Sequence, residues 1–142
     1  MTVLKGEIYM YHDKFAYDYG ESFPQLILGM DNLNLNDINI ISCGMEENSA
    51  ANTWGPGTRN EFHLHFILKG CGYFINSNSK YKVSAGECFF FIPGEKIHYF
   101  PDKETPWNYV WINFSGKSVI DIFKKANISP KNPIFPIPEN LD

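Results

Sequence analysis

From residue 38 onward, apolar and polar positions alternate in short runs, and turn-forming residues interrupt them at close intervals. A period of two sends successive side chains to opposite faces of a strand, so this rhythm predicts a β-sandwich or barrel. The candidate strands are 38–43, 61–69, 72–76, 80–84, 88–92 and 107–114. Asn76-Ser77-Asn78-Ser79 predicts a hairpin loop, and Ala85-Gly86-Glu87 and Pro93-Gly94-Glu95 predict two further turns. Trp54-Gly55-Pro56-Gly57 reads as a loop whose glycines allow conformations that other residues avoid. One helix is predicted, over 117–126. Val119, Ile120, Ile122 and Phe123 fall on one side of it, Ser115 or Gly116 opens it, and Asn127 and Pro130 end it.

The two ends read differently. Residues 1–35 are polar, aromatic and irregular, with Tyr9, Tyr11, Phe15, Tyr17 and Tyr19 in a segment of little helical period, followed by a turn-rich run over 31–37. The tail over 133–142 carries three prolines and stops without a closing element, which predicts a chain cut from something longer. The resulting division is 1–37 as an N-terminal arm with the first barrel elements, 38–115 as the barrel, and 116–142 as the start of a helical segment.

Two strands have faces of contrasting chemistry. On 107–114, Trp107, Tyr109, Trp111 and Asn113 share one face, and Val110, Ile112 and Phe114 the other. On 61–69, His63, His65 and Ile67 share one face, and Phe62, Leu64, Phe66 and Leu68 the other. The purely apolar faces require cover from a sheet or helix. The mixed faces suit the inside of a barrel.

Composition adds one outlier. Aromatic residues make up 16% of the 142 residues, with 12 Phe, 8 Tyr and 3 Trp. They suit both a strand-rich core and the lining of a ligand cavity, and composition does not separate the two. The net charge of −4, with lysines and arginines scattered, lacks the basic stripe that grips nucleic acid. Cys43, Cys71 and Cys88 form no CxxC pair and fit reduced thiols. No run approaches the roughly 18 apolar residues of a membrane span, and the N-terminus has no signal core. These features predict a cytoplasmic domain with no membrane partner.

The sharpest metal-like feature is His63-Leu64-His65, with His98 further on. Two histidines at i and i+2 on a strand point the same way and can reach one ion. In metal-binding cupins a glutamate follows such a pair. Here Lys69 stands at the matching place, and a lysine supplies no ligand at neutral pH. No metal or other cofactor is expected, and a metal-dependent cupin enzyme using His63, His65 and His98 is the alternative.

A longer stretch carries a resemblance. The Gly-Pro and arginine of Gly55-Pro56-Gly57-Thr58-Arg59 lead into LHFILKGCGYF (64–74) and AGECFFFIP (85–93). The acidic Pro101-Asp102 and PWNYVWINFSG (106–116) follow in one collinear register. Residues 38–116 resemble the ligand-binding domain of AraC-type transcription regulators. The resemblance implies a mostly β, cupin-like (jelly-roll) barrel followed by a short helical segment. It also implies a sensing role for a small molecule, expected to be a mono- or oligosaccharide, without catalysis. Contact with DNA would come only through a helix-turn-helix half outside this chain, on the order of 100 further residues, and the full-length protein would be a homodimer. By register, Tyr109, Trp111 and Phe100 take the family's ligand-contacting places, with His63, His65 and His98 in the same cavity. The family's sugar-binding arginine lies in a loop before the first long strand, and Arg59 stands closer to the strand than that place. Trp107 is expected to pack rather than bind. Ligand is further expected to order residues 1–37 over the cavity mouth.

Overall fold

In the computed structural model, residues 37–47 and 53–137 are described in full, and the strands Glu7–Tyr11, Lys14–Asp18 and Gln25–Gly29 by their backbone. In chain order the strands are β1 (Glu7–Tyr11), β2 (Lys14–Asp18), β3 (Gln25–Gly29), β4 (Asn39–Glu46), β5 (Trp54–Gly57), β6 (Phe62–Lys69), β7 (Cys71–Ile75), β8 (Lys80–Ser84), β9 (Glu87–Phe91), β10 (Ile97–Pro101), β11 (Asn108–Ser115) and β12 (Ile134–Pro136). Among the described residues one helix, α1 (Val119–Lys125), lies between β11 and β12. The strands form two antiparallel sheets, ordered β1-β2-β3-β4-β11-β6-β9-β12 and β5-β10-β7-β8.

The predicted strand rhythm matches β4, β6, β7, β8, β9 and β11, with ends that shift by up to three residues. The hairpin at 76–79 closes as an Asx turn: Asn76 Oδ1 accepts from the backbone N–H of Asn78 at 2.9 Å and of Ser79 at 3.2 Å. Gly86 turns the chain from β8 into β9 at φ +88°, a conformation that favours glycine.

Two readings are corrected, that of 54–57 as a loop and that of the tail as lacking a closing element. The segment Trp54–Gly57 is a strand, β5, paired with β10 at Tyr99↔Trp54 and Ile97↔Gly57. Its proline is tolerated because β5 is an edge strand. Residues 1–37 supply the antiparallel run β1-β2-β3, which extends the larger sheet beyond β4. The side chains of Tyr9, Tyr11, Phe15 and Tyr17, and Tyr19 as a whole, lie outside the described residues, and with them the expected cover over the cavity. The proline-rich tail supplies β12, which pairs with β9 and closes the other edge of the sheet. Among the described residues, no helix is long and apolar enough to cross a membrane.

The strands of the larger sheet sort their side chains as the alternation predicts. Phe62, Phe90 and Phe114 share a buried cluster with Val119, joined by Leu64, Ile112 and Phe123. In this layer Phe90 stacks on Phe123 at 4.3 Å, so α1 covers the apolar face. Only part of the predicted helix stripe does this: Val119 is buried, whereas Ile120 and Ile122 are 57% and 45% exposed. Val119 and Phe123 stand four residues apart and share a face, whereas Ile120 and Ile122 flank it. On the opposite side, Ile67, Phe74, Phe89, Phe91, Tyr99 and Trp107 fill the space between the sheets. Trp107 is fully buried, and a Cβ at Gly72 would overlap its ring, which fits the expected packing role.

Candidate functional site

The mixed faces of β6 and β11 meet across the larger sheet. β11 pairs with β6 at Trp111↔His65 and Asn113↔His63, and with β4 at Tyr109↔Glu46. β9 flanks β6 on its other side, with His63↔Phe91 and His65↔Phe89. These cross-strand neighbours set the imidazoles in place: His63 stacks on Phe91 at 4.7 Å, and His65 on Phe89 at 4.4 Å.

A cavity of about 250 Å³ opens between the two sheets. Glu46, His63, His65, Tyr109, Trp111 and Asn113 line it from the larger sheet. Trp54 and Tyr99 close it from β5 and β10, and Thr53 and Arg59 from the flanking chain. Trp54 stacks on Tyr99 with centroids 5.8 Å apart, and the Arg59 guanidinium sits over the Trp54 ring at 4.3 Å.

The electrostatics of the cavity follow from burial. His63 is 4% exposed, and desolvation, with Arg59 nearby, lowers its pKa from 6.5 to about 3. Burial holds His65 well below the ordinary imidazole value, with His63 and Arg59 acting in the same direction. Both rings are therefore neutral near pH 7, each with one N–H donor and one acceptor nitrogen. Burial raises the Tyr99 hydroxyl to about 12 and also pushes Tyr109 up, so both are donors. Tyr109 donates a short hydrogen bond to Glu46 Oε2. Glu61 Oε2 lies 3.8 Å from His63 Nε2, beyond hydrogen-bond length.

Five residues that line the cavity each carry a buried polar atom with no hydrogen-bond partner among the described residues: Glu46 Oε1, Arg59 Nε, His63 Nε2, His65 Nδ1 and Asn113 Oδ1. Leaving such a group unpaired costs about 1–3 kcal/mol. The residues that carry these atoms surround one space, together with Trp54 and Trp111, and cavities with a few convergent polar groups and aromatic rings are the usual form of small-molecule sites.

Of the residues singled out from sequence, Arg59, His63, His65, Tyr109 and Trp111 come together in this cavity. His98 and Phe100 do not. On β10 the buried positions are Ile97, Tyr99 and Pro101, so the pleat sends His98 and Phe100 to the other face of the smaller sheet. His98 instead lines a separate cleft with Pro56, Ile75 and Asn76. Phe100 lies beside Tyr73 at 5.4 Å, with the Lys80 ammonium 5.5 Å from its ring. Tyr99 takes the inward place that the register assigned to Phe100. The three histidines of the metal alternative therefore do not converge, and among the described residues no three His, Cys, Asp or Glu side chains gather as metal ligands.

Sequence reasoning missed Glu46, Trp54, Tyr99 and Asn113 as cavity residues. Asn113 was already on the correct face, two positions beyond Trp111. Glu46 fell past the predicted end of its strand at 43, where Glu46-Glu47 reads as a charged turn. Had the alternation been continued to 46, it would have placed Glu46 on one face with Gly44.

Comparison with known proteins agrees with this geometry. Residues 39–142 match the family described as the AraC-like ligand binding domain. The chain is 29% identical over 96 residues to the Msm operon regulatory protein of Streptococcus mutans, covering 68% of this chain and 34% of that protein. It is 27% identical over 92 residues to the lactose operon transcription activator of Staphylococcus xylosus, covering 65% and 33%. The chain thus spans about a third of the length of these curated relatives. Among solved structures it resembles a Cupin 2 conserved barrel domain protein from Salinispora arenicola, with a TM-score of 0.50 and 11% identity over 73% of this chain and 84% of that one. This likeness shows the cupin-like fold alone.

Proposed function

Since the chain belongs to the AraC-like ligand-binding domain family, we propose that its cavity takes a neutral saccharide and that the domain is the sensing part of a sugar-operon transcription regulator. The observation that carries this reading is that five residues with an unpartnered buried polar atom line one space together with two tryptophans. A sugar ring presents weakly polar C–H faces to an indole and a rim of hydroxyls that both donate and accept. Trp111, with Trp54 across the cavity, would stack on the ring. Arg59, His63, His65 and Tyr109 would pair with its hydroxyls. The proposed role is binding without turnover. The relatives' names supply the operon context. Contact with DNA, and dimerisation, are assigned to parts of the regulator outside this cavity.

A thermal-shift screen against mono-, di- and trisaccharides, their phosphates and small organic acids tests this reading. At least one neutral saccharide should raise the midpoint, by about 2.7 kcal/mol of added stability at a hundredfold excess over Kd. Trp111→Ala should lose that shift. A full shift retained by the variant would place the ligand elsewhere, and no response to any saccharide would overturn the reading.

A further inference from the structure

Glu46 stands apart from the other cavity residues. It is 4% exposed and enters from β4, directly opposite Tyr109 on β11. Tyr109 donates to one carboxylate oxygen, Oε2, while the other, Oε1, is buried and has no hydrogen-bond partner among the described residues, on a residue that lines the cavity. A carboxylate only accepts hydrogen bonds, so Oε1 is matched by a ligand donor and repels a ligand anion. The charges around it add to this. Among the described residues Arg59 is the one lysine or arginine in the cavity lining, and its guanidinium already rests on Trp54. Both histidines that line the cavity are neutral at physiological pH because burial disfavours their charged form. Glu46 and Arg59 therefore balance each other. Among the described residues, a phosphate monoester of charge about −1.5 to −2 would meet one cation, Arg59, and a buried carboxylate.

We propose that Glu46, oriented by Tyr109, is the specificity-determining residue of the cavity: it accepts a hydrogen bond from one ligand hydroxyl through Oε1 and turns away phosphorylated or oxidised sugars. This inference rests on the saccharide reading above. It places the signal at the neutral sugar, upstream of any phosphorylation or oxidation that would consume it, so such a reaction ends the signal.

The test is titration calorimetry with galactose, lactose and raffinose beside galactose 6-phosphate and galacturonate. On the wild-type protein, at least one neutral sugar should bind, and both anions should bind at least about tenfold more weakly than it does. This arm needs no variant and stands even if substitutions at Glu46 impair folding. Glu46→Gln, close in shape but uncharged, should weaken the neutral sugar by about ten- to a hundredfold and shrink the difference between neutral and anionic sugars. Tyr109→Phe should weaken the neutral sugar less, because it frees Oε2 while leaving Oε1 in place. Binding of a neutral sugar with an unchanged affinity and an unchanged neutral-to-anion ratio in Glu46→Gln would overturn this inference and leave the saccharide reading standing. Equal or tighter binding of galactose 6-phosphate to the wild type would also overturn it. No binding of any of the five would remove both.

Discussion

The two faces of the larger sheet come from the same strands and differ in almost every physical respect. On the outer face, Phe62, Phe90 and Phe114 stack with Phe123 of α1 into a layer made entirely of apolar side chains. On the inner face, alternate residues of those strands place His63, His65, Tyr109, Trp111 and Asn113 around a cavity, with four of its five unpartnered polar atoms coming from this sheet. One face gains stability by excluding water from hydrocarbon. The other leaves polar atoms unpaired at a cost to stability, which is a common mark of a site shaped for a partner. The contrast teaches that stability and recognition are separable here at the level of odd and even positions.

The largest effect should come from the outer face. Phe90→Ala removes a ring that stacks on both Phe62 and Phe123 and should cost about 3–5 kcal/mol, read from chemical denaturation. Ligand affinity of the folded fraction should be unchanged. A loss of affinity alongside a small loss of stability would erase the distinction between the faces.

Acid should act on the inner face. The folded-state pKa of His63 is about 3, below its ordinary 6.5, and that of His65 is also depressed. The unfolded chain therefore binds more protons below pH 6.5, and stability is lost as pH falls from about 6.5 towards 3. His63 should contribute up to about 2 kcal/mol of loss between pH 6.5 and 5, and His65 acts in the same direction. Denaturation midpoints across that range, compared with those of His63→Leu, measure it. An identical slope in the variant would sink the assignment to His63.

The smallest effect sharpens the comparison most. Asn113→Leu replaces a group with an unpartnered buried oxygen by an apolar one of similar size. It should leave the free protein unchanged or more stable by up to about 1 kcal/mol, while reducing any saccharide-induced thermal shift. Destabilisation with an intact ligand shift would mean that Asn113 serves the fold rather than the site.

Much of this was legible residue by residue. The alternation of His63 and His65 against Phe62 and Leu64, and of Tyr109, Trp111 and Asn113 against Ile112 and Phe114, separates the two faces in the sequence itself. Those strands are long and interrupted by no proline, so their period is unambiguous. β5 and β12 hid behind their prolines, because an edge strand can dispense with an N–H that a central strand needs. β10 hid because five residues offer too few alternations to fix parity. A register one position off exchanged Tyr99 for Phe100, since such a slip moves a side chain to the opposite face.

What the sequence determined alone was therefore local: strand rhythm, turn positions, and which side chains share a face. Residues 38–116 also carried the family resemblance that residues 39–142 bear out. Tertiary structure decided which faces meet. It brought Glu46, opposite Tyr109, and Trp54, stacked on Tyr99, to the same cavity as His63 and His65, and it turned His98 away. The reason is physical. Periodicity is a property of neighbours along the chain, whereas a binding site is assembled from strands whose pairing is set by long-range hydrogen bonds and packing between sheets.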